Sequence, residues 1–239
     1  MGEYGRMRVW RIVLIVVVVL GGLFVAADRI AVSVAQNKAA ERAQATQGLD
    51  HKPKVSIKGF PFLTQAAFGK LDDVTIEAED IAAGAGGETL RIATFNADLH
   101  GVKFSNGYRT AVADSADGIA FITYADLSKA APPGVTVSAA GNSADGKPMV
   151  KLTGTIPGIG TKISVLSQVT VRGADTIGLH AEKLPVELTK LGLEDNVRQQ
   201  IDFERQLTHL PSGIALTSVT TTPDGLSVAA GGKHVTLAS

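Results

Sequence analysis

The apolar residues of this chain change their spacing twice, and these changes divide it into three regions. The first region is an unbroken apolar run, Ile12–Ala27. Small apolar residues, mostly Ala, then recur with helical spacing over residues 28–47. From residue 54 onward, apolar and polar residues alternate, which is the spacing of β-strands. The pattern predicts an N-terminal helix and, after it, a domain built mainly from strands.

Alternation is longest over residues 90–104, and turns rich in Gly, Asn and Asp separate the other alternating segments. Frequent Val and Thr in these segments are typical of antiparallel sheets. The predicted strands are residues 55–58, 74–77, 90–104, 118–123, 134–140, 149–156, 162–172, 176–182, 213–221 and 225–230. Short helices are predicted at residues 61–68, 124–130 and 186–200, and a strand after residue 200. No βαβ alternation is visible, so we predict an α+β fold.

The apolar run Ile12–Ala27 is sixteen residues long, whereas a signal-peptide core has about 7–15 residues and a membrane span about 20. Small residues at 25–27 favour cleavage, and helical character that continues past Asp28 favours an uncleaved anchor. Both alternatives keep the upstream cations in the cytoplasm and export the C-terminal remainder of the chain. Those cations are Arg6, Arg8 and Arg11. We therefore expect a tip and apolar segment, residues 1–27, and an exported domain, residues 28–239.

The helix over residues 28–47 is only modestly amphipathic, because most of its apolar residues are Ala. We expect Asp28 to cap its exported part and Gly48 to end it. Ile30 and Val34 are larger apolar residues one turn apart. The helix is either a stalk that leads away from the membrane or an element that packs onto the C-terminal domain.

Composition and charge exclude several classes of protein. A content of 45% hydrophobic and 19% charged residues excludes intrinsic disorder. The 23 Lys and Arg residues are balanced by 23 Asp and Glu residues, so the chain lacks the strongly basic character of nucleic-acid-binding domains. The absence of Cys from the sequence excludes disulfides, thiolate metal sites and Cys nucleophiles.

No local sequence motif for catalysis or metal binding stands out. The five His residues are far apart, and no pair has the spacing of a metal site. Neither a G-x-S-x-G nor an S-x-x-K motif occurs, nor does a phosphate-binding glycine pattern. We therefore predict no catalytic residue, no metal and no cofactor. An exported hydrolase whose carboxylates meet only in the folded chain stays an alternative.

The aromatic segment, residues 60–68, is the most unusual stretch of the sequence. Its apolar members include Phe60, Pro61, Phe62, Leu63 and Phe68. Pro61 fixes its own backbone and holds the preceding residue in an extended conformation. The aromatic side chains either plug one end of a sheet as part of its core, or form a hydrophobic lip where an acyl chain enters or the domain touches lipid.

The aromatic segment also carries a family resemblance. Residues 55–65 read V-S-I-K-G-F-P-F-L-T-Q and resemble the signature V-x-I-x-G-x-P-F-L-T-Q of the LmeA-like phospholipid-binding proteins of high-GC Gram-positive envelopes. Weaker matches occur downstream in the family's order. They are L-H-G-V at 99–102, Y-A-D-L at 124–127, L-P-S-G-I at 210–214 and P-D-G-L at 223–226. The resemblance extends from about residue 10 to the end of the chain and departs at the charged residues 202–206.

This resemblance implies a fold similar to tubular lipid-binding domains, in which a long curved antiparallel sheet wraps around an N-terminal helix and leaves an apolar groove. It also implies a non-enzymatic protein that holds or transfers phospholipid at the outer face of the cytoplasmic membrane and supports envelope glycolipid assembly. The expected partners are phospholipid and the membrane, and no nucleic acid. The alternative is a structural envelope protein that pairs with a partner and whose apolar interior is solid core.

The candidate lipid-binding residues combine the aromatic segment with apolar positions on the helix and on two strands. They are Phe60, Pro61, Phe62, Leu63, Phe68, Ile30, Val34, Phe95 and Phe121. An anionic head group would require Lys or Arg at the mouth of the groove. Lys52, Lys54 and Lys58 precede the aromatic segment and are the candidates, with ordinary surface lysines as the alternative interpretation.

Overall fold

The computed structural model describes residues 3–85, 88–107, 109–155, 162–184, 198, 202–206 and 210–238. The helices are α1 (Glu3–Gln47), α2 (Phe62–Ala67) and α3 (Tyr124–Ala130). The strands are β1 (Lys54–Lys58), β2 (Lys70–Ala85), β3 (Glu88–Ser105), β4 (Thr110–Thr123), β5 (Thr136–Asn142), β6 (Pro148–Thr155), β7 (Lys162–Arg172), β8 (Thr176–Lys183), β9 (Phe203–Gln206), β10 (Ile214–Thr221) and β11 (Gly225–Ala238). The helix predicted at residues 186–200 falls outside the described residues except at 198.

The strands form two antiparallel sheets. The large sheet has six strands in the order β1-β2-β3-β4-β11-β10. The small sheet has five strands in the order β5-β6-β7-β8-β9. Together with the N-terminal helix, these sheets confirm the predicted α+β fold with a long antiparallel sheet.

Most strands lie where alternation predicts them, and β7 has the predicted bounds. Three strands are longer than predicted: β2 covers far more than residues 74–77, β4 begins before residue 118, and β11 continues to Ala238 although Gly231 and Gly232 were expected to lie beyond its end. At Gly232 the neighbouring strand comes so close that a Cβ atom would lie 1.8 Å from the carbonyl oxygen of Gly213. These glycines therefore permit close strand pairing rather than a turn.

The alternation of buried residues along β3 is interrupted at Gly101. Leu99 and Val102 are both buried although they are three positions apart, which interrupts strict alternation. Gly101 lies between them with a φ of 61°, and a Cβ atom there would lie 2.4 Å from a carboxylate oxygen of Asp114. A residue in this conformation changes which face the next side chains occupy, and glycine adopts it without steric cost.

α1 has two halves with different surroundings. Its apolar half is exposed, and the helix from Trp10 to Gln47 is long and apolar enough to cross a membrane. From Asp28 onward, one face of the helix is buried, including Val32 and Ala40. The Gln36 Nε2 donates a hydrogen bond to the Ile57 carbonyl of β1 at 3.4 Å. The second half of α1 therefore packs onto the domain and is not a free stalk.

Two clusters of buried apolar side chains stabilise the domain. The first cluster lies beneath α1 and α2 and consists of Val32, Phe62, Leu71, Val74, Leu99, Val102, Ala111, Ala113, Ala116 and Val235. The second cluster lies between the large sheet, α3 and the small sheet and consists of Ile122, Tyr124, Val150, Leu152, Val169, Leu216, Val219, Leu226 and Val228. The long strands β4 and β11 contribute side chains to both clusters.

Candidate functional site

The junction between α1 and α2 is organised by the carboxylate of Asp28, which is fully buried. Its Oδ1 accepts a hydrogen bond from the backbone N–H of Leu63 at 2.8 Å, and its Oδ2 pairs with Arg29 at 2.5 Å. The N-terminus of α2 has no side-chain cap of its own. Asp28 therefore satisfies a free N–H group in the first turn of another helix. We call this contact the Asp28 clamp.

The predicted capping role of Asp28 was wrong in one respect. The sequence pattern placed Asp28 at the start of a new helical segment, but α1 continues through it without a break. An aspartate inside a helix cannot cap that helix, since the neighbouring N–H groups are already bonded within it. The carboxylate caps α2 instead, and α2 is thereby held beside the end of the apolar run.

The side chains of the aromatic segment divide between core and surface. Phe62 is 8% exposed and belongs to the first cluster, and Leu63 packs against that cluster. Phe60 and Phe68 are 58% and 83% exposed. Pro61 is half-buried between Phe60 and Phe62. Phe62 and Leu63 therefore contribute to the core, whereas the rings of Phe60 and Phe68 are exposed at the surface.

Gly59 and Gln65 fix the start of the aromatic segment. Gly59 has a φ of 96°, and a Cβ atom there would lie 2.3 Å from Nε2 of Gln65. The Oε1 of Gln65 accepts a hydrogen bond from the backbone N–H of Asp72 in β2 at 2.9 Å. The spacing G-x-P-F-L-T-Q therefore has a structural reason, because glycine leaves room for the amide that ties α2 to the sheet.

Arg29 lies over the ring of Phe60, with its guanidinium carbon 5.3 Å from the ring centroid. This is the geometry of a cation–π contact. The same guanidinium pairs with Asp28, so charge and aromatic ring are adjacent directly after the apolar run. Arg29 was not among the residues predicted for the site, and its position next to Asp28 was the available signal.

The other lipid-binding candidates do not share one pocket. Ile30 and Val34 are 67% and 48% exposed, on the side of α1 that faces away from the domain. Phe121 pairs in register with Thr94, so it lies on the opposite face of the large sheet from Phe95. Phe95 lies on the inner face, where its ring is close to Gly118. Of the two strand residues, Phe95 alone faces the interior.

The three lysine candidates lie at different distances from the aromatic segment, Lys52 just before β1 and the other two at its ends. Lys52 pairs with Glu41 and Lys54 pairs with Glu77, each at 3.1 Å. β1 runs antiparallel to the second half of α1, so these two pairs lie at the end of β1 away from Phe60. Lys58 is exposed and is the candidate nearest the aromatic segment.

Asp126 of α3 forms the most extensive buried charge cluster among the described residues, and it was not a predicted site residue. Its side chain is 2% exposed, and its carboxylate contacts Arg91 and Lys129 at 3.3 and 3.2 Å. Thr123 donates its hydroxyl to this carboxylate at 2.7 Å and accepts from the Asp126 N–H at 3.1 Å. The Thr123 hydrogen bond and the two cations lower the pKa of Asp126, although burial opposes them.

Thr123 is the N-cap of α3, and the Asp126 carboxylate ties this cap to Arg91 of β3, which explains the Y-A-D-L motif as a structural element. Within the described ranges, no three potential metal ligands come together. His100 and His180 each pair with one carboxylate, that of Asp73 at 2.5 Å and that of Asp202 at 3.0 Å. The first pair links β2 and β3, and the second joins β8 to the residue before β9.

A family model described as LmeA-like phospholipid-binding matches residues 26–231, which is most of the chain. The match begins two residues before Asp28 and so includes the half of α1 that packs on the domain. No curated protein and no solved structure gives a match.

Proposed function

Because the chain belongs to the LmeA-like phospholipid-binding family, we propose that its domain holds or transfers phospholipid at the outer face of the cytoplasmic membrane. α1 is the membrane anchor in this proposal, and the activity is non-enzymatic. The lipid supports assembly of envelope glycolipids, a role suggested by the sequence resemblance. Family membership over most of the chain is the observation that carries the proposal.

The geometry of α1 supports membrane attachment. Its apolar run Ile12–Ala27 is exposed and contributes nothing to either core cluster. At about 1.5 Å per residue, sixteen residues span roughly 24 Å, close to the hydrocarbon thickness of a bilayer, about 30 Å. Arg11 precedes the run and Arg29 follows it, so the charged side chains lie where head groups would be. The excess of Arg before the run orients the domain outward.

The energetics of acyl-chain burial make catalysis unnecessary for this function. Burying a fourteen-carbon chain at about 0.8 kcal/mol per CH₂ contributes on the order of 10 kcal/mol before entropic costs. Phe95 on the inner face of the large sheet is the strand position best placed for acyl contact. Phe60 and Phe68 are placed for contact with lipid outside the domain, since both rings are exposed.

The test is lipid capture by the domain without its apolar run. Residues 26–239 retain Val32 and the Asp28 clamp, so the first cluster stays complete. After circular dichroism and thermal unfolding show a folded domain, mass spectrometry of an organic extract should detect copurified phospholipid. The same domain should also take up fluorescent phospholipid from vesicles. A folded domain that neither carries nor takes up phospholipid, in several mild preparations, would contradict the proposal.

The alternative, a structural envelope protein, is favoured by one observation. Val150, Val165 and Val235 are nearly inaccessible within the protein itself, as expected of solid core. In that case the domain should carry no lipid, and its thermal midpoint should not change when phospholipid vesicles are added. A phospholipid that binds only the folded state raises the midpoint, so the same preparation separates the two functions.

A further inference from the structure

We propose that α1 and the aromatic segment form a single docking surface for the bilayer that α1 crosses, with Phe60 and Phe68 seated at the level of the lipid head groups. This inference rests on the proposed function, because it takes α1 as a membrane anchor. It adds two statements to that function. The exposed rings contact the surface of a phospholipid bilayer, and this contact fixes the orientation of the domain on that surface.

The Asp28 clamp sets the height of the aromatic segment. α1 is unbroken from Glu3 to Gln47, and its uncharged run ends at Ala27. The next residue bonds the backbone N–H of Leu63 at 2.8 Å. A helix rises about 1.5 Å per residue, so Leu63 lies within one helical turn of the end of the run. In a helix that spans a bilayer, this level is the interface between hydrocarbon and water.

Exposed apolar side chains are concentrated on the second half of α1 and on the aromatic segment. Among the described residues after residue 27, the large hydrophobic side chains with high exposure are Ile30, Val34, Phe60, Phe68, Ile119, Leu166 and Leu237. Four of these seven belong either to the turns of α1 that come after Asp28 or to the aromatic segment, and Phe68 is the most exposed at 83%. Exposed apolar side chains concentrated in this way indicate a binding surface, and the apolar run of the same helix indicates that the partner is a bilayer.

Basic side chains accompany this apolar patch. Arg29 covers the ring of Phe60. Lys70 follows Phe68 closely and pairs in register with Lys103 of β3. Asp28 and Asp114 offset part of this charge, through Arg29 at 2.5 Å and Lys103 at 2.7 Å. Aromatic and basic residues together are typical of membrane interfaces, where rings lie among head groups and cations face lipid phosphates.

The experiment measures the depth of each ring in the membrane. Trp10 is the sole Trp of the chain, so Trp10→Phe gives a background in which Phe60→Trp or Phe68→Trp is the only Trp fluorophore. Leu166→Trp is the matched control, because Leu166 is an exposed apolar residue of the small sheet, away from α2. The full-length chains are reconstituted in phosphatidylcholine–phosphatidylglycerol vesicles that contain lipids with a nitroxide quencher at a shallow acyl position.

The expected result is strong quenching and blue-shifted emission for Trp at positions 60 and 68, and neither for Trp at position 166. Carbonate extraction tests the anchor separately. A chain that stays in the membrane while its Trp at 60 and 68 is no more quenched than at 166 would overturn the docking and leave the lipid-binding function standing. A chain released by carbonate would overturn the anchor and the docking together, whereas lipid capture by the isolated domain would be unaffected.

The role of the Asp28 clamp is tested in the same vesicles. Asp28→Ala removes the acceptor of the Leu63 N–H and leaves the packing of Phe62 near Val32 as the contact between α2 and α1. We expect quenching of Trp at position 68 to fall at least twofold, with the chain still resistant to carbonate. Asp28→Asn keeps one carbonyl acceptor and should retain more of the quenching. Unchanged quenching in a folded Asp28→Ala chain would show that the clamp does not orient the domain.

Discussion

The hydroxyl of Tyr124 donates a hydrogen bond to the carbonyl oxygen of Thr222 at 3.0 Å, across 98 positions of the chain. The backbone N–H of Tyr124 also bonds the carbonyl of Asp224 at 3.2 Å. The Y-A-D-L element and the turn that joins β10 to β11 are therefore parts of one structural unit. Both motifs belong to the family resemblance, and the contact between them gives a structural reason for their joint occurrence.

Tyr124→Phe should destabilise the domain by about 1 kcal/mol, because it keeps the buried ring and removes one hydrogen bond to a carbonyl. The Tyr124 side chain is largely buried, and burial raises the pKa of its hydroxyl, so the group is held in its donating form. Urea unfolding of the isolated domain measures the difference. A variant as stable as the parent would show that water replaces the lost bond without cost.

The stability contributed by Asp126 should depend on pH. Its pKa in the folded chain lies below the ordinary value of 3.8, so the folded state favours the ionised form more than the unfolded state does. The contribution is therefore complete above that ordinary value and is lost as the pH falls through the folded pKa. Asp126→Asn should be less stable than the parent at pH values near 7.

The difference in free energy of unfolding between Asp126→Asn and its parent should shrink as the pH is lowered toward and below 3.8. Denaturant unfolding at a series of pH values measures this directly. A difference that is constant across the series would mean that the Thr123, Lys129 and Arg91 contacts do not favour the ionised form.

Phe62 and Phe68 form a matched pair within the aromatic segment, since both are phenylalanines and only one is buried. Phe62→Ala should cost about 3–5 kcal/mol, because it opens a cavity in the first cluster. Phe68→Ala should change stability by no more than about 0.5 kcal/mol, because its ring is 83% exposed. Equal losses of thermal midpoint in the two variants would contradict the division of the segment into core and surface.

Gly232→Ala should destabilise the pairing of β10 with β11 by roughly 2 kcal/mol, because the new methyl group meets backbone that cannot move freely. Gly154→Ala in β6 is the control, since a Cβ atom there would make an ordinary contact of 3.5 Å with Val135. The control should be within about 0.5 kcal/mol of the parent. A Gly232→Ala domain with parental stability would show that the strands separate easily at this point.

A reporter fused after Ser239 should be active only outside the cytoplasm. Arg6, Arg8 and Arg11 precede the apolar run, and positive residues are retained on the cytoplasmic side. Phosphatase and fluorescent-protein reporters, which are active on opposite sides of the membrane, measure the two possibilities in parallel. Reporter activity in the cytoplasm would contradict the orientation on which the proposed function depends.

Most of the sheet was predictable from the sequence because buried and exposed positions alternate along much of each long strand. β7 illustrates this, since Val165, Ser167 and Val169 are buried and alternate with the more exposed Leu166 and Gln168. The helical half of the domain was less predictable. Ile30 and Val34 were preferred as contact residues for their size, but the buried face carries Val32 and Ala40, because small side chains let α1 approach the sheet closely.

Long-range contacts explain the rest of the difference between sequence and structure. The Asp28 clamp joins residues 35 positions apart, and nothing local to Asp28 identifies Leu63 as its partner. Phe95 and Phe121 each lie on a predicted strand, but their faces depend on the register between β3 and β4. That register follows from the whole hairpin and from the side chains packed over it, so neither position alone determines it.

β4 and β11 contribute side chains to both clusters, and this affects how the domain unfolds. β11 places Leu226 and Val228 in the second cluster and Val235 in the first, and β4 likewise contributes Ile122 and Ala113. Loss of either cluster would therefore free backbone that pairs within the other. Partial opening is costly for such a chain, so the isolated domain should melt in a single cooperative transition, with equal calorimetric and van't Hoff enthalpies.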